Sequence, residues 1–347
     1  MTEAFIDLPA ERQVEMLKAL ANQALGRWGL EGAALDLLKH RENTVFKVTA
    51  EEGTRYVMRV HRDHYHSDAA LLSELRWLDA LRGAGVATTE AIRCLDGEWF
   101  ARVGTPGLPE GRQVDMLRWV PGAAIGSIEE GVQMAGAEME EVYRQAGEQA
   151  ARIHNVGESW QRPEGFERIE WDEQGFYGET GSICGCYRHL RSLTVEQRAL
   201  LDRARDACDR ALGEFGKSRD RYGLVHGDFL PENLFWDGST VRLIDWDDTG
   251  FGWHIYDFAT AMFPHLGQPS FDTALGAMVE GYRSRRELPD EHLALLPVLV
   301  MARALSYVGW AHTRGEIARE LEPIAVAVAC ELAQELTSAA SPASASS

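Results

Sequence analysis

Apolar residues recur along this chain in two rhythms, and the switch between them divides it. Near the start, Val14, Leu17, Leu20, Ala21 and Leu25 fall on one face of a helix. After residue 30 the runs shorten: ALDLLKH, NTVFKVTA and RYVMRV are rich in Val, Leu and aromatics, and HRE and EEGT between them read as turns joining antiparallel strands. SDAALLSELRWLDALRGAG then returns to helical spacing through Leu71, Leu75 and Leu78, with Ser67 as N-cap and Gly83 and Gly85 at its end. AIRCLDGEWFARV predicts a hairpin turning at Asp96-Gly97, and VDMLRWV, residues 114–120, one more strand closed by Pro121-Gly122.

From GVQMAGAEMEEVYRQAGEQAARIHN onward helical patterns dominate, four of them filling residues 255–337. The pattern predicts an α+β chain: a helical extension over 1–29, a small antiparallel sheet with one inserted helix over 30–120, and a mainly helical part over 121–337. The final SAASPASASS, 338–347, is small and polar and reads as disordered.

Composition narrows the partners. The chain has 347 residues, with 35 Lys and Arg against 54 Asp and Glu, a formal net charge of −19. That balance argues against nucleic acid and anionic membrane surfaces as partners and is compatible with a cationic one. The five cysteines are scattered, and only Cys184 and Cys186 lie close, with no second pair to complete a zinc site. LPVLVMARALSYVGWA, 296–311, is apolar but short for a bilayer and carries Arg303. The expectation is a cytoplasmic protein with reduced thiols.

The chemistry concentrates in HGDFLPEN, 226–233, and LIDWDD, 243–248. Taken singly, Asp and Asn in a Pro-containing loop are turn formers. Taken together, they match what phosphoryl transfer requires: a carboxylate to accept the acceptor's hydroxyl proton, and hard oxygen ligands for magnesium. On this reading Asp228 is the base and Asn233 and Asp245 hold the metal. VRLIDW would be a short buried strand paired hairpin-fashion with FLPENLFW, bringing the three residues to one point.

HGDFLPENLFWDGSTVRLIDWDDTGFGWHIYDFATAM resembles the core of the aminoglycoside phosphotransferase superfamily, relatives of the protein kinases, which writes H-G-D-x-x-x-x-N, then I-D-[WFL]-[DE], then Y-D-[LF]-A. The nearest branch is that of the bacterial stress-response kinase and the type II homoserine kinases. The resemblance implies a two-lobed kinase-like fold, Asp228 as catalytic base, and Asn233 and Asp245 as ligands of Mg2+. It further implies ATP as donor, with GTP left open. His226 becomes a strut, Asp257 a buried anchor of the loop, and Asp247, less so Asp248, a second metal or acceptor contact. In the N-terminal part Arg59 stands where kinases carry Lys, with Glu74 as partner. No glycine-rich loop is present, so Glu42, Asn43 and Thr44 would meet the phosphates, Asn43 foremost. The adenine would lie against backbone from Leu117 to Trp119.

The implied activity is transfer of a γ-phosphate to a hydroxyl of a small molecule: an aminoglycoside, an amino alcohol or an amino acid. A Ser/Thr protein kinase of the stress-response type and a catalytically silent nucleotide-binding module are the alternatives. The stretch 157–193 carries Trp160, Phe166, Trp171, Phe176, Tyr177 and Tyr187 with acids between them. Those rings either offer faces to a cationic acceptor or pack the loop onto the helical part.

Overall fold

The computed structural model describes residues 5, 8–41, 43–63, 65–105, 107–128, 130–180, 182–313 and 320–339. They fall into two compact units, the first made of Met1–Pro121 with Gln161–Glu167, the second of Gly122–Trp160 with Arg168–Ser347.

In the first unit, helix α1 (Ala10–Ala24) precedes strands β1 (Ala34–His40), β2 (Thr44–Thr49) and β3 (Arg55–Val60). Helix α2 (Asp68–Gly83) and strands β4 (Ala101–Thr105) and β5 (Leu108–Arg118) complete it. The five strands form one antiparallel sheet in the order β1-β2-β3-β5-β4. Ser67 caps α2 by accepting the N–H of Ala70 at 3.0 Å, which satisfies one of the helix's unpaired amides.

Three expectations change here. Helix α1 and the turn after it are no appendage, because Leu17, Leu20, Ala21, Ala24, Leu25 and Trp28 join Phe46, Val48, Met58 and Met116 in a single buried cluster. An apolar stripe needs a partner surface, and α1 finds it on the sheet. The hairpin runs through β4 and β5, not through Asp96-Gly97. That dipeptide makes only a tight turn, with Cys94 N–H to Glu98 O at 2.8 Å, while Ala91 bridges to Leu117. Finally, residues 161–167 return to the first unit: Glu167 N–H donates to Ser73 Oγ at 2.9 Å and Ser67 Oγ to Glu167 at 3.1 Å.

The second unit opens with three two-residue strands, β6 (Ala123–Ala124), β7 (Gly126–Ser127) and β8 (Gly131–Val132), then the long helix α3 (Gly136–Ser159). Strand β9 (Ile169–Trp171) and helices α4 (Glu173–Tyr177) and α5 (Val195–Phe215) follow. Strands β10 (Tyr222–Val225), β11 (Leu234–Trp236), β12 (Val241–Leu243) and β13 (Gly250–Trp253) lead into helices α6 (Ile255–Met262), α7 (Phe271–Arg283), α8 (Asp290–Leu293), α9 (Leu296–Thr313) and α10 (Glu322–Ala339). β11 and β12 pair antiparallel with Leu234 opposite Leu243, and β10-β13-β9 form a second small sheet.

Gly147 of α3 and Gly281 of α7 let these two helices touch backbone to backbone: a Cβ on either would overlap the other helix's carbonyl oxygens. The stretch 290–313 is long and apolar enough to cross a membrane, yet 72% of its most apolar 18 residues is buried inside the protein, as befits a core helix. Ser338 and Ala339 belong to α10, and residues 340–347 lie outside the described residues.

Candidate active site

The loop 226–233 leaves β10 and is held from below by α6. Asp257 is fully buried and accepts the N–H of Gly227 at 2.8 Å and of His226 at 3.2 Å. Three residues on, Thr260 Oγ1 accepts the N–H of Phe229 at 3.0 Å. Burial raises the Asp257 carboxyl to about 6, against which His226 and the two backbone donors work. Gly227 has a positive φ of 82°, and a Cβ there would stand 2.6 Å from Asp248 O and 2.8 Å from Trp171 Nε1. Only glycine fits.

His226 is itself a bridge. Its Nδ1 accepts the N–H of Asp228 at 3.2 Å, which places its proton on Nε2, where it donates to Ile244 O at 3.1 Å. Burial lowers its pKa to about 4, so the ring is neutral near pH 7. One imidazole therefore ties the Asp228 loop to the segment leading into Asp245, and the β11–β12 pair adds Ile244 N–H to Asn233 O at 3.1 Å.

Asp228 is clamped on both carboxylate oxygens. Asn233 Nδ2 donates to Oδ2 at 2.8 Å and to the Asp228 carbonyl at 3.0 Å. Both neighbours are acceptors, so the amide must turn its NH2 towards them, and its Oδ1 remains available for a cation. Arg303 Nη2 donates to Oδ1 at 2.8 Å from the buried face of α9.

Asp245 is exposed and has φ 62°, and among the described residues it is the one non-glycine with positive φ. Such strain persists where surrounding structure enforces it. The enforcement is visible: Trp246 is buried against His226 with ring centroids 4.5 Å apart. Arg168 donates to Thr249 O at 2.6 Å, Trp246 O at 3.2 Å and Asp247 O, and Trp171 Nε1 donates to Asp248 O at 2.7 Å.

Burial and the charges of Asp228, Asp247 and Asp245 push the Asp248 carboxyl well above its usual range, with Arg303 opposing. This neighbourhood holds more negative charge than its cations balance. No group of three His, Cys, Asp or Glu side chains among the described residues forms a cage by itself. An amide oxygen plus one carboxylate, in surplus negative potential, suits a hard divalent ion that keeps waters and phosphate oxygens in its shell.

In the first unit Arg59 is buried opposite Asp115. Its Nε and Nη2 donate to Asp115 at 3.0 and 2.9 Å, and Nη2 reaches Glu74 at 2.8 Å. His61 Nε2 meets the same Asp115 carboxylate at 2.6 Å. Burial would raise that carboxyl, and Arg59 and His61 outweigh it, leaving it below its usual value. The Arg59–Glu74 pair was legible in the sequence; Asp115 and His61 were not, for want of the β3–β5 register.

Asn43 Oδ1 accepts the N–H of Arg62 at 3.4 Å, and Thr44 pairs with His40 at 2.7 Å; Glu42 lies outside the described residues. Leu117 lies between Val57 on one side and Ala91 on the other, and Trp119 N–H donates to Arg55 O at 3.2 Å. Arg118 N–H donates to Glu90 O at 2.8 Å, so the backbone here is paired within the unit.

The aromatic stretch resolves towards packing. Trp171, Phe176, Tyr177 and Tyr187 are buried, with Phe176 4.9 Å from the Tyr256 ring. Tyr177 OH donates to Asp209 at 2.8 Å and Tyr187 OH to Asp202 at 2.6 Å. Their faces are used inside the unit, so they are not the cation platform considered above.

The arrangement, a clamped carboxylate beside an amide and a strained exposed carboxylate at the ends of a short β-hairpin, is that of a kinase-like phosphotransferase. Comparison agrees: the sequence profile of the phosphotransferase enzyme family (APH) matches residues 36–288. The chain belongs to that family. A microcompartment-associated aminopropanol kinase of known structure is 33% identical, covers 93% of this chain and 98% of its own, and superposes with a TM-score of 0.80. The amicoumacin kinase of Bacillus subtilis (strain 168) is 22% identical over 84% of this chain and 83% of its own. A structure of an amicoumacin kinase in complex with AMP-PNP, Ca2+ and Ami has a TM-score of 0.73 at 21% identity, covering 95% of this chain and 94% of that one. The chain is a kinase, a phosphotransferase with an alcohol group as acceptor.

Proposed function

We propose that this enzyme transfers the γ-phosphoryl group of ATP, with Mg2+, to the hydroxyl of a small amino alcohol. The observation that carries the reading is the Asp228 carboxylate, fixed on both oxygens by Asn233 and Arg303, with Asp228 and Asp245 both close enough to act on Asp248. The acceptor class is supported by the 33% identity to an aminopropanol kinase and by the surplus of carboxylates around Asp228, which favours an ammonium group.

In this mechanism Asp228 orients the acceptor hydroxyl and takes its proton as the new O–P bond forms and the bond from the γ-phosphorus to its bridging oxygen breaks, the electron pair leaving with ADP. Asn233 Oδ1 and Asp245 would hold Mg2+, with Asp247 as a further contact; the ion supplies charge neutralisation for the phosphate oxygens. His226 and Asp257 keep the loop in place. In the first unit, Arg59, oriented by Glu74 and Asp115, serves phosphate oxygens, Asn43 serves the turn over them, and the backbone at Trp119 offers the adenine edge.

The test is a mass-spectrometric screen of purified protein, ATP and Mg2+ against amino alcohols, aminoglycosides, homoserine and a general protein substrate. The expected result is one phosphorylated amino alcohol, with the rate reduced at least about 10²-fold in Asp228→Ala. Phosphate on protein alone, or an unaffected Asp228→Ala, rules the reading out.

A further inference from the structure

The Asp228 carboxylate accepts from Asn233 within its own loop and from Arg303 far along the chain. The distant donor, Arg303, is the one Asp, Glu, Lys or Arg in α9, where it is buried among Leu299, Val300, Met301 and Leu305. Its Nη2 donates to Asp228 Oδ1 at 2.8 Å and its Nη1 to Tyr256 OH at 3.1 Å. Its Nε has no hydrogen-bond partner among the described residues. A guanidinium retained for packing would be expected to satisfy every donor, since an orphaned buried N–H is costly. Here the nitrogens that are satisfied are those that reach Asp228 and the Tyr256 beside its anchor, Asp257.

The helix carrying Arg303 is fixed along its axis and in rotation. Gly309 lies against the backbone of Gly185 so closely that a Cβ would overlap the Gly185 carbonyl, and Thr313 Oγ1 donates to Cys184 O at 2.9 Å. α9 also packs along α6, the helix that supplies Tyr256 and Asp257. The guanidinium is therefore delivered to the carboxylate by rigid elements.

We propose that Arg303 is a positioning residue for phosphoryl transfer: it fixes Asp228 Oδ1 while Asn233 fixes Oδ2, so that two separate elements set the plane of the carboxylate the acceptor hydroxyl meets. This rests on the reading of Asp228 as the base. Each oxygen keeps lone-pair capacity for the acceptor, because a carboxylate accepts about four hydrogen bonds. Without Arg303 the carboxylate turns about its Cβ–Cγ bond, and the negative charge shared with Asp248 loses a cation that opposes it.

The experiment is steady-state kinetics of the full chain with ATP, Mg2+ and its amino alcohol, comparing Arg303→Met, Arg303→Lys, Tyr256→Phe, Asp228→Asn and the Arg303→Met/Asp228→Asn double variant. A misplaced catalytic group costs about 10²-fold, and Arg303→Met is expected to lower kcat by that factor. Its KM for ATP should stay within about twofold, the signature of an interaction that serves the transition state. Arg303→Lys keeps the charge and should recover about tenfold of the loss. In the Asp228→Asn background, Arg303→Met should change the residual rate by less than about twofold, because a residue acting through another has nothing left to act on.

If Arg303→Met fails to fold, Tyr256→Phe, which frees Nη1, replaces it, with an expected fall in kcat of about threefold or more at unchanged KM. Wild-type kcat in folded Arg303→Met, or in Tyr256→Phe standing in for it, overturns the inference alone. Losses that multiply in the double variant do the same. A wild-type enzyme that phosphorylates nothing in the panel overturns the phosphotransfer reading and this inference with it.

Discussion

One proton on His226 decides how two loops meet. Nε2–H points to Ile244 O and the bare Nδ1 to Asp228 N–H, an arrangement an imidazolium cannot keep, since both nitrogens would then be donors. The unfolded chain protonates this ring near its ordinary 6.5, and the folded one only near 4. Between those values the unfolded state binds more protons, so stability rises with pH across 4 to 6.5 and levels above, by about 3 kcal/mol for this group. Asp257, raised from 3.8 to about 6, works in the opposite sense: the folded state keeps its proton longer, and stability falls as pH rises through that window. His154 and His254, both lowered by burial, add to the His226 side. Urea midpoints at pH 7 and 4.5 should therefore show an acid-sensitive protein, and His226→Gln should shrink the difference. An unchanged difference in that variant would mean the ring is not held neutral. Asp245 makes a second test. Its φ of 62° suits glycine, so Asp245→Gly should be more stable than Asp245→Ala by about 1 kcal/mol, while both lose Mg2+-dependent nucleotide binding. Equal stabilities would show that the turn is not strained.

At the scale of elements, local signals were readable and registers were not. The Ser67 cap, the three strands before it and the β11–β12 pair each follow from a few neighbouring residues, and each is where its pattern puts it. The β4–β5 hairpin was misplaced because Asp96-Gly97 announces a turn without saying which strands flank it. Asp115 and Arg303 escaped for a related reason: one needs a strand register and the other a helix packing, and neither is written in local sequence. A lone Arg in an apolar helix was the available signal, since a buried charge requires a partner. The crossing of α3 and α7 is equally nonlocal, yet it bears on the site through His154, which contacts Tyr282 OH at 2.8 Å and Asp257 at 3.0 Å. Gly281→Ala should force those helices apart and destabilise by about 3 kcal/mol. Gly276→Ala on the same helix meets nothing within 4 Å and should be neutral or stabilising by up to about 1 kcal/mol. Chemical denaturation of the pair separates a packing effect from a propensity effect, and matching midpoints would remove the crossing from the account.

For the whole molecule the governing quantity is charge. On the proposed function, a chain with net charge −19 must bring a polyanionic nucleotide to a polyanion. Arg59 is already matched by Asp115 and Glu74, and Arg303 by Asp228, so neither contributes surplus positive charge. On that proposal the divalent ion should be a condition for tight nucleotide binding as well as for catalysis. AMP-PNP alone should raise the thermal midpoint little, whereas AMP-PNP with Mg2+ at about one hundred times its Kd should stabilise by about 2.7 kcal/mol. Asp245→Ala should abolish the metal-dependent increment, while Asp228→Ala, whose carboxylate is read as the base, should keep most of it. Salt offers a control on the same argument. Raising ionic strength screens exposed charges over about 10 Å at 0.1 M, so it should ease binding of nucleotide without metal and weaken capture of an ammonium-bearing acceptor. A nucleotide shift that ignores Mg2+, in an enzyme that still transfers phosphate, would show that the charge is balanced by protein groups and that Asn233 and Asp245 are not the ion's ligands.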